Sequence, residues 1–343
     1  MLSVKKSRVR SALLGTAAIG ILLATAACGA STTPPGSTSA AASGATSAGS
    51  AAGSAAGSAG ADAGTEAVPT PLNLNLAKVD SLNAMLPDKF KQSGTIVVAT
   101  DPTYPPNEFL PEGSDTPVGM DIDLINAVGQ VLGLEVTVEP ASFDGIIAGL
   151  NAGRYDVGIS SFTDTKEREA SVNFVTYFTA GTSIMVPAGN PKNIQSATDL
   201  CGLPVGAQNG TTQLDQLTDA TVEGSVVKAC QDAGKEPPVA QGFPKQTDVN
   251  AALVAGRIDA YMADSPVVDY AVKVTGDRFQ KVGGDEGAAP YGIAIPKEPA
   301  ELTPAIQAAM QHLIDSGDYT KILDNWGLTG GAVTTSQVNG AIY

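Results

Sequence analysis

One histidine, one tryptophan and three cysteines occur in 343 residues. A lone histidine excludes sites that need several imidazoles, metal centres and paired-histidine catalysis alike, and any Ser/His/Asp triad would have to run through His312. Basic residues are scarce too, 20 against 35 acidic, for a formal charge of −15. A chain of that sign lacks the basic face that polyphosphate binding needs, so no nucleic acid partner is expected. Only 16% of the residues are charged and 43% are apolar, which at this length is enough for two ordinary domains with their own cores.

Residues 1–27 place Lys5, Lys6, Arg8 and Arg10 ahead of an apolar run from Ala12 to Ala27, without an acidic residue. The run is shorter than the roughly 20 residues of a spanning helix and ends in small residues, so it reads as an export signal rather than an anchor. The stretch Thr25-Ala26-Ala27-Cys28 is similar to a bacterial lipobox, in which the cysteine becomes the lipid-bearing amino terminus, although Thr25 stands where leucine is commonest. Loss of the leader makes the remainder more acidic still. Electrostatic adhesion to an anionic bilayer is then disfavoured, and a lipid on Cys28 is the expected attachment to the outer face of the cell membrane. Residues 28–66 are almost wholly Gly, Ala, Ser, Thr and Pro, with no apolar periodicity. Such a composition does not offset ordering entropy and predicts a tether of about 35 Å r.m.s. reach. Cys201 and Cys230, in an exported chain, fit one disulfide, with two buried thiols as the alternative.

The body is patterned differently. An extension, 67–93, carries a short amphipathic segment (Val79, Leu82, Met85, Leu86), and the strand Thr95–Thr100 opens a series of alternating strand and helix patterns that runs to Trp326. Strands separated by helices predict an α/β fold. The text Leu150-Asn151-Ala152-Gly153-Arg154-Tyr155-Asp156-Val157 recurs as Leu253-Val254-Ala255-Gly256-Arg257-Ile258-Asp259-Ala260. Each glycine suits the left-handed position that ends a helix, and two such units about 100 residues apart suggest two similarly built lobes rather than one large sheet.

In α/β sheets ligands bind beyond the carboxyl ends of strands. Four such places carry polar chemistry. The first strand runs into Asp101, Tyr104 and a proline-stiffened loop, which on its own reads as a surface turn. The strand from Val157 runs into Ser160, Ser161 and Thr163, then Asp164 and Glu167 in capping-box spacing, with Arg168 one turn into the helix. Helix-start N–H groups, hydroxyls and a guanidinium together suit a carboxylate, against the alternative of an ordinary capped helix. The strand Pro204–Gln208 ends at Gly210, Thr211 and Thr212, a second possible anion corner. The strand Asp259–Ala263 ends at Asp264, with Ser265 as cap and Pro266 as the first helical residue, leaving Asp264 to hold an ammonium group. A carboxylate receptor on one lobe and an ammonium receptor on the other complement a free amino acid.

At these residues the chain resembles the extracellular solute-binding proteins of polar amino acid uptake, bacterial family 3, over about 94–328. The most specific stretch is Gly119-Met120-Asp121-Ile122-Asp123-Leu124, a strand-to-helix corner that touches no ligand. The resemblance implies a type II periplasmic-binding-protein fold, two α/β lobes joined by a two-segment hinge near 182–187 and 290–295. It implies lobe 1 over 94–183 and 289–330, lobe 2 over 184–288, and a tail, 331–343. It implies ligand contacts from Asp101, Tyr104, Phe143, Ser160, Ser161, Thr163, Arg168, Thr211, Thr212 and Asp264. It also implies a monomer that needs neither metal nor cofactor and delivers an amino acid to the permease of an ABC importer. Asn107 stands where phenylalanine is frequent.

Two other readings compete: an exported enzyme of dehydratase type on the same scaffold, and a sensing partner of a membrane receptor. The enzyme would need a general acid, for which Asp101 is the nominal candidate, while His312 falls in a helix and reads as a surface or packing residue. Asp101 beside Tyr104 and Phe143 suits a basic side chain, with glutamine open and acidic amino acids least expected.

Overall fold

The computed structural model describes residues 69–343. The leader 1–27, Cys28 and the tether 28–66 lie outside the described residues. In chain order the elements are α1 (Asp80–Ala84), α2 (Asp88–Ser93), β1 (Thr95–Thr100), β2 (Thr103–Tyr104), β3 (Glu108–Phe109), α3 (Met120–Leu132), β4 (Glu135–Pro140), α4 (Phe143–Asn151), β5 (Val157–Gly158), α5 (Lys166–Glu169) and β6 (Asn173–Pro187). They continue as β7 (Pro204–Gln208), α6 (Thr212–Thr218), α7 (Val226–Asp232), β8 (Val239–Phe243), α8 (Gln246–Val254), β9 (Ala260–Asp264), α9 (Ser265–Thr275), β10 (Phe279–Ile295), α10 (Leu302–Ser316) and α11 (Asp318–Trp326).

Two long antiparallel strands, β6 and β10, organise the molecule. The sheet order is β4-β1-β5-β10-β6-β9-β7-β8, with β2 and β3 as a separate hairpin. On one side the carboxyl half of β10 pairs with β5 and with residues 173–180 of β6, beside parallel β1 and β4. On the other, residues 182–185 of β6 pair with β9, which continues into parallel β7 and β8. The hydrogen-bonded ladder is thus continuous, where two separate sheets were expected, because two strands are long enough to belong to both lobes. Its pairing is irregular between Val282 and Ala289, where Gly283 and Gly287 take positive φ of 69° and 60°. These bulges lie between the two halves, opposite 180–184 of β6, and a further register shift falls between Tyr291 and Gly292. The result is a type II periplasmic-binding-protein fold of two α/β lobes.

The repeated helix-to-strand text folds the same way twice. After α4, Gly153 at φ 70° donates to Leu150 O and Arg154 N donates to Gly149 O. After α8, Gly256 at φ 66° donates to Leu253 O and Arg257 N to Ala252 O. Both ends are Schellman motifs, which close a helix with a left-handed glycine.

Each lobe has its own core. The first includes Val98, Leu124, Ile293, Ile306 and Trp326, and the second is built around Val205, Ala260, Tyr261 and Val268. The extension is not an appendage. It forms two short helices instead of one, and Leu72, Leu74, Leu76 and Val79 pack on the first core, with Leu86 and Phe90 fully inside it. Met85, expected on the apolar face, is instead 39% exposed. Cys201 and Cys230 form a disulfide that ties the turn before β7 to α7.

Candidate functional site

The corner Gly119-Met120-Asp121 is where sequence first dictates site geometry. A Cβ on Gly119 would meet Asn107 O at 2.1 Å, so only glycine lets α3 start this close to the β2–β3 hairpin. The approach places buried Asp121 behind Ser161, whose N–H donates to its Oδ2 at 2.8 Å while the Tyr177 hydroxyl donates at 2.9 Å. Ser161 has φ 52°, an uncommon setting for a residue with a side chain, and these bonds hold it there.

The turn so fixed forms the floor of a nearly closed cavity of about 10 Å³, room for about one water. Asp101, Tyr104, Phe143, Ser160, Ser161, Thr163, Arg168, Thr211, Thr212 and Asp264 all line it, and so do Glu108, Gln208 and Gln213. The last three did not stand out from sequence, although signals existed. Gln208 is the tip of β7, Gln213 follows the threonine pair on the first turn of α6, and Glu108 lies in the loop from which Asp101 and Tyr104 were singled out as ligand contacts.

Arg168 and Asp264 come from opposite lobes. The half-buried guanidinium donates to Thr163 O and to Gly210 O across the cleft, both at 2.8 Å, and lies 5.6 Å from the centre of the Phe143 ring. Phe143 is backed by Phe162, stacked at 4.6 Å. Burial draws Arg168 below its ordinary pKa, and Asp215 and Asp264 oppose that shift. Opposite, Asp264 receives the Tyr104 hydroxyl on Oδ2 at 2.9 Å and the Gln213 amide on Oδ1 at 2.8 Å. Burial pushes its carboxyl up, while the phenols of Tyr291 and Tyr104, Gln213 and Arg168 favour the anion.

Two more acids line the wall. Asp101 Oδ2 accepts from Phe143 N and from Gln208 Nε2, both at 2.9 Å, the second bond crossing the lobes. Its carboxyl is raised by burial against the hydrogen bonds of Thr103, Phe143 and Gln208 and the charge of Lys245. Glu108 accepts from Ser160 at 2.9 Å and from Ser161 at 3.1 Å, and burial followed by the Asp121 charge pushes its carboxyl well up. Asn107, in place of the frequent phenylalanine, donates to Ser161 Oγ at 2.8 Å and binds the hairpin to the Ser161 turn.

Three sequence readings are corrected here. The start of α5 is capped by Thr165, whose hydroxyl accepts from Arg168 N, whereas Asp164 is buried and accepts from Gly340 N. Its first N–H, on Lys166, is taken by Tyr343 O, and α5 spans four residues, so it presents no open row of donors to a ligand. The cap of α9 is Asp264 itself, without a side-chain capping bond, because β9 runs one residue further than expected and Ser265 begins the helix. Thr211 has its hydroxyl spent on Gln208 O and Leu214 N as the cap of α6. His312 lies on α10, away from the cavity lining. Among the described residues no group of three or more His, Cys, Asp or Glu is arranged to hold a metal, and no helix is long and apolar enough to cross a membrane.

The sequence model of the bacterial extracellular solute-binding proteins, family 3, matches residues 96–329. The arginine-binding protein ArgT of Corynebacterium glutamicum is 34% identical over 262 residues, 76% of this chain and 83% of its own length. The L-cystine-binding protein TcyJ of Escherichia coli is 30% identical over 241 residues, 70% of this chain and 85% of its own. Among solved structures, an ancestral arginine-binding protein bound to arginine superposes with a TM-score of 0.60 at 37% identity, covering 68% of this chain and 98% of that one.

Proposed function

Since the chain belongs to the bacterial extracellular solute-binding proteins, family 3, we propose that its cleft captures a polar or basic L-amino acid outside the cell and hands it to the permease of an ABC importer. One observation carries the reading: Arg168 and Asp264, of opposite charge and from opposite lobes, line the same cavity. A free amino acid offers a carboxylate to the first and an ammonium to the second. Asp101 lies beside Phe143 in the same lining, and an acid next to an aromatic face suits a cation above all. Arginine is therefore the first choice, consistent with what ArgT and the ancestral protein are named for binding, with glutamine second.

In this reading residues 94–183 and 289–330 form one lobe, 184–288 the other, and a lipid on Cys28 retains the monomeric body at the membrane. Contacts drawn from both lobes exist only when the cleft is shut, so ligand energy favours the closed form that a permease recognises. The step is binding, and no residue is needed as a general acid.

Calorimetry with L-arginine and L-glutamine tests the assignment. Arg168→Ala is expected to weaken binding by about 2–5 kcal/mol, because the ligand carboxylate is left buried and unpaired, while the exposed guanidinium control Arg154→Ala is expected to change it little. Equal effects would remove Arg168 from the site, and consumption of the added amino acid during titration would favour the enzyme.

A further inference from the structure

Past the residues matched by the family, the segment 332–343 folds back over the first lobe. Val333 N donates to the Tyr319 hydroxyl at 3.0 Å. Ser336, 2% exposed, is fixed at three atoms: its N–H donates to Gln311 Oε1, its carbonyl accepts from Gln307, and its hydroxyl donates to Thr176 O. The segment then runs beside β6, exchanging backbone bonds at Gln337 with Thr176 and at Asn339 with Phe174.

It ends on the loop that carries Arg168. Of the three carboxylates that flank that arginine in sequence, Asp164, Glu167 and Glu169, the first is buried, the second exposed and the third half-buried, and the two that are not exposed face the segment. The segment occupies both. Gly340 N donates to Asp164 Oδ2 at 2.7 Å and Ala341 N to Glu169 Oε1 at 3.0 Å, while Lys166 N donates to Tyr343 O at 2.9 Å. The fit is close: a Cβ on Gly340 would lie 3.0 Å from Thr176 Cγ2.

The cation beside these acids is Lys166, 3.3 Å from Glu169 Oε2, so what the segment adds is three bonds at 164, 166 and 169, on both sides of Arg168. Without them the loop is free to turn the Arg168 guanidinium away from the cleft. We propose that residues 336–343 are a built-in clasp that holds the 164–169 loop in the posture aiming Arg168 across the cleft, which makes Gly340, Ala341 and Tyr343 positioning residues for the ligand carboxylate. The inference rests on the amino acid reading above. The half-buried Tyr343 ring fits the same place: burial raises its phenol, Asp264 adds to that, Arg168 opposes it, and Glu223 of the second lobe adds again.

Two variants test the clasp: removal of residues 340–343, which keeps the Ser336 and Asn339 anchors, and Ala341→Pro, which removes the backbone donor to Glu169 and leaves its contact with Lys166 in place. Without ligand, amide exchange across 163–169 is expected to quicken at least tenfold in both, with β7 unchanged. Unaltered exchange overturns the proposal whether or not any amino acid binds. With ligand, the preference for L-arginine over L-arginine amide, which lacks the carboxylate, is expected to narrow at least tenfold. Equal loss for both compounds means general damage and also overturns it. If the intact chain binds neither compound, the amino acid reading falls, and the exchange result alone decides the clasp.

Discussion

Asp121 does not line the cavity, yet it sets two properties of the site. It holds Ser161 at positive φ, and it shares a buried corner with Glu108 and Tyr177. Burial raises its pKa from 3.8 to about 7, against the hydrogen bonds of Ser161, Tyr177 and Glu108. The folded state therefore keeps a proton over a range in which the unfolded chain has released it. Stability from this corner is fully present below the unfolded value, declines as pH rises toward 7, and is lost above. Asp121→Asn keeps an acceptor for Ser161 and Tyr177 and turns an amide donor toward Glu108. Urea unfolding between about pH 4 and pH 8 is expected to show a flatter profile for the variant and a gain over the parent at the alkaline end. Parallel profiles would clear Asp121 as the cause.

At the scale of elements, local text was a reliable guide wherever one residue type has no substitute. The glycines of the two echoed turns fix left-handed helix ends, and β1 and β7 begin and end at the residues their patterns predicted. Reading failed at α5, where Asp164 was drawn away by Gly340 and Thr165 took the cap, and at α9, where β9 runs on through Asp264 and Ser265 opens the helix instead of capping it. The disulfide is an element-scale tie remote from the cavity. Its loop, with a sequence separation of 29, constrains the unfolded chain by an amount worth about 3 kcal/mol. Cys201→Ser with Cys230→Ser is expected to cost about that much in urea unfolding and to leave amino acid affinity within about twofold, since neither residue lines the cleft. A large affinity loss would show that α7 and the turn before β7 govern the site.

For the whole molecule the decisive feature is that β6 and β10 thread both lobes and pair irregularly between them. Direct bonds cross the cleft, among them Tyr104 to Asp264, Gln208 to Asp101, Arg168 to Gly210 and Gln246 to Thr103. A bound amino acid adds to such bridges, so the radius of gyration from small-angle scattering is expected to fall when saturating L-arginine is added. An unchanged radius would mean that the lobes do not move on binding. Local pattern was enough for the α/β class and the repeated helix ends, because strand tips and left-handed glycines are set by neighbours along the chain, and the family resemblance implied the ten residues that the structure gathers around one cavity. Only the tertiary structure decided the continuous sheet, the presence of Glu108, Gln208 and Gln213 in the cleft, and the return of residues 332–343 to the Arg168 loop. Those depend on contacts between residues far apart in sequence, and no local pattern records which distant partner a buried polar group will find.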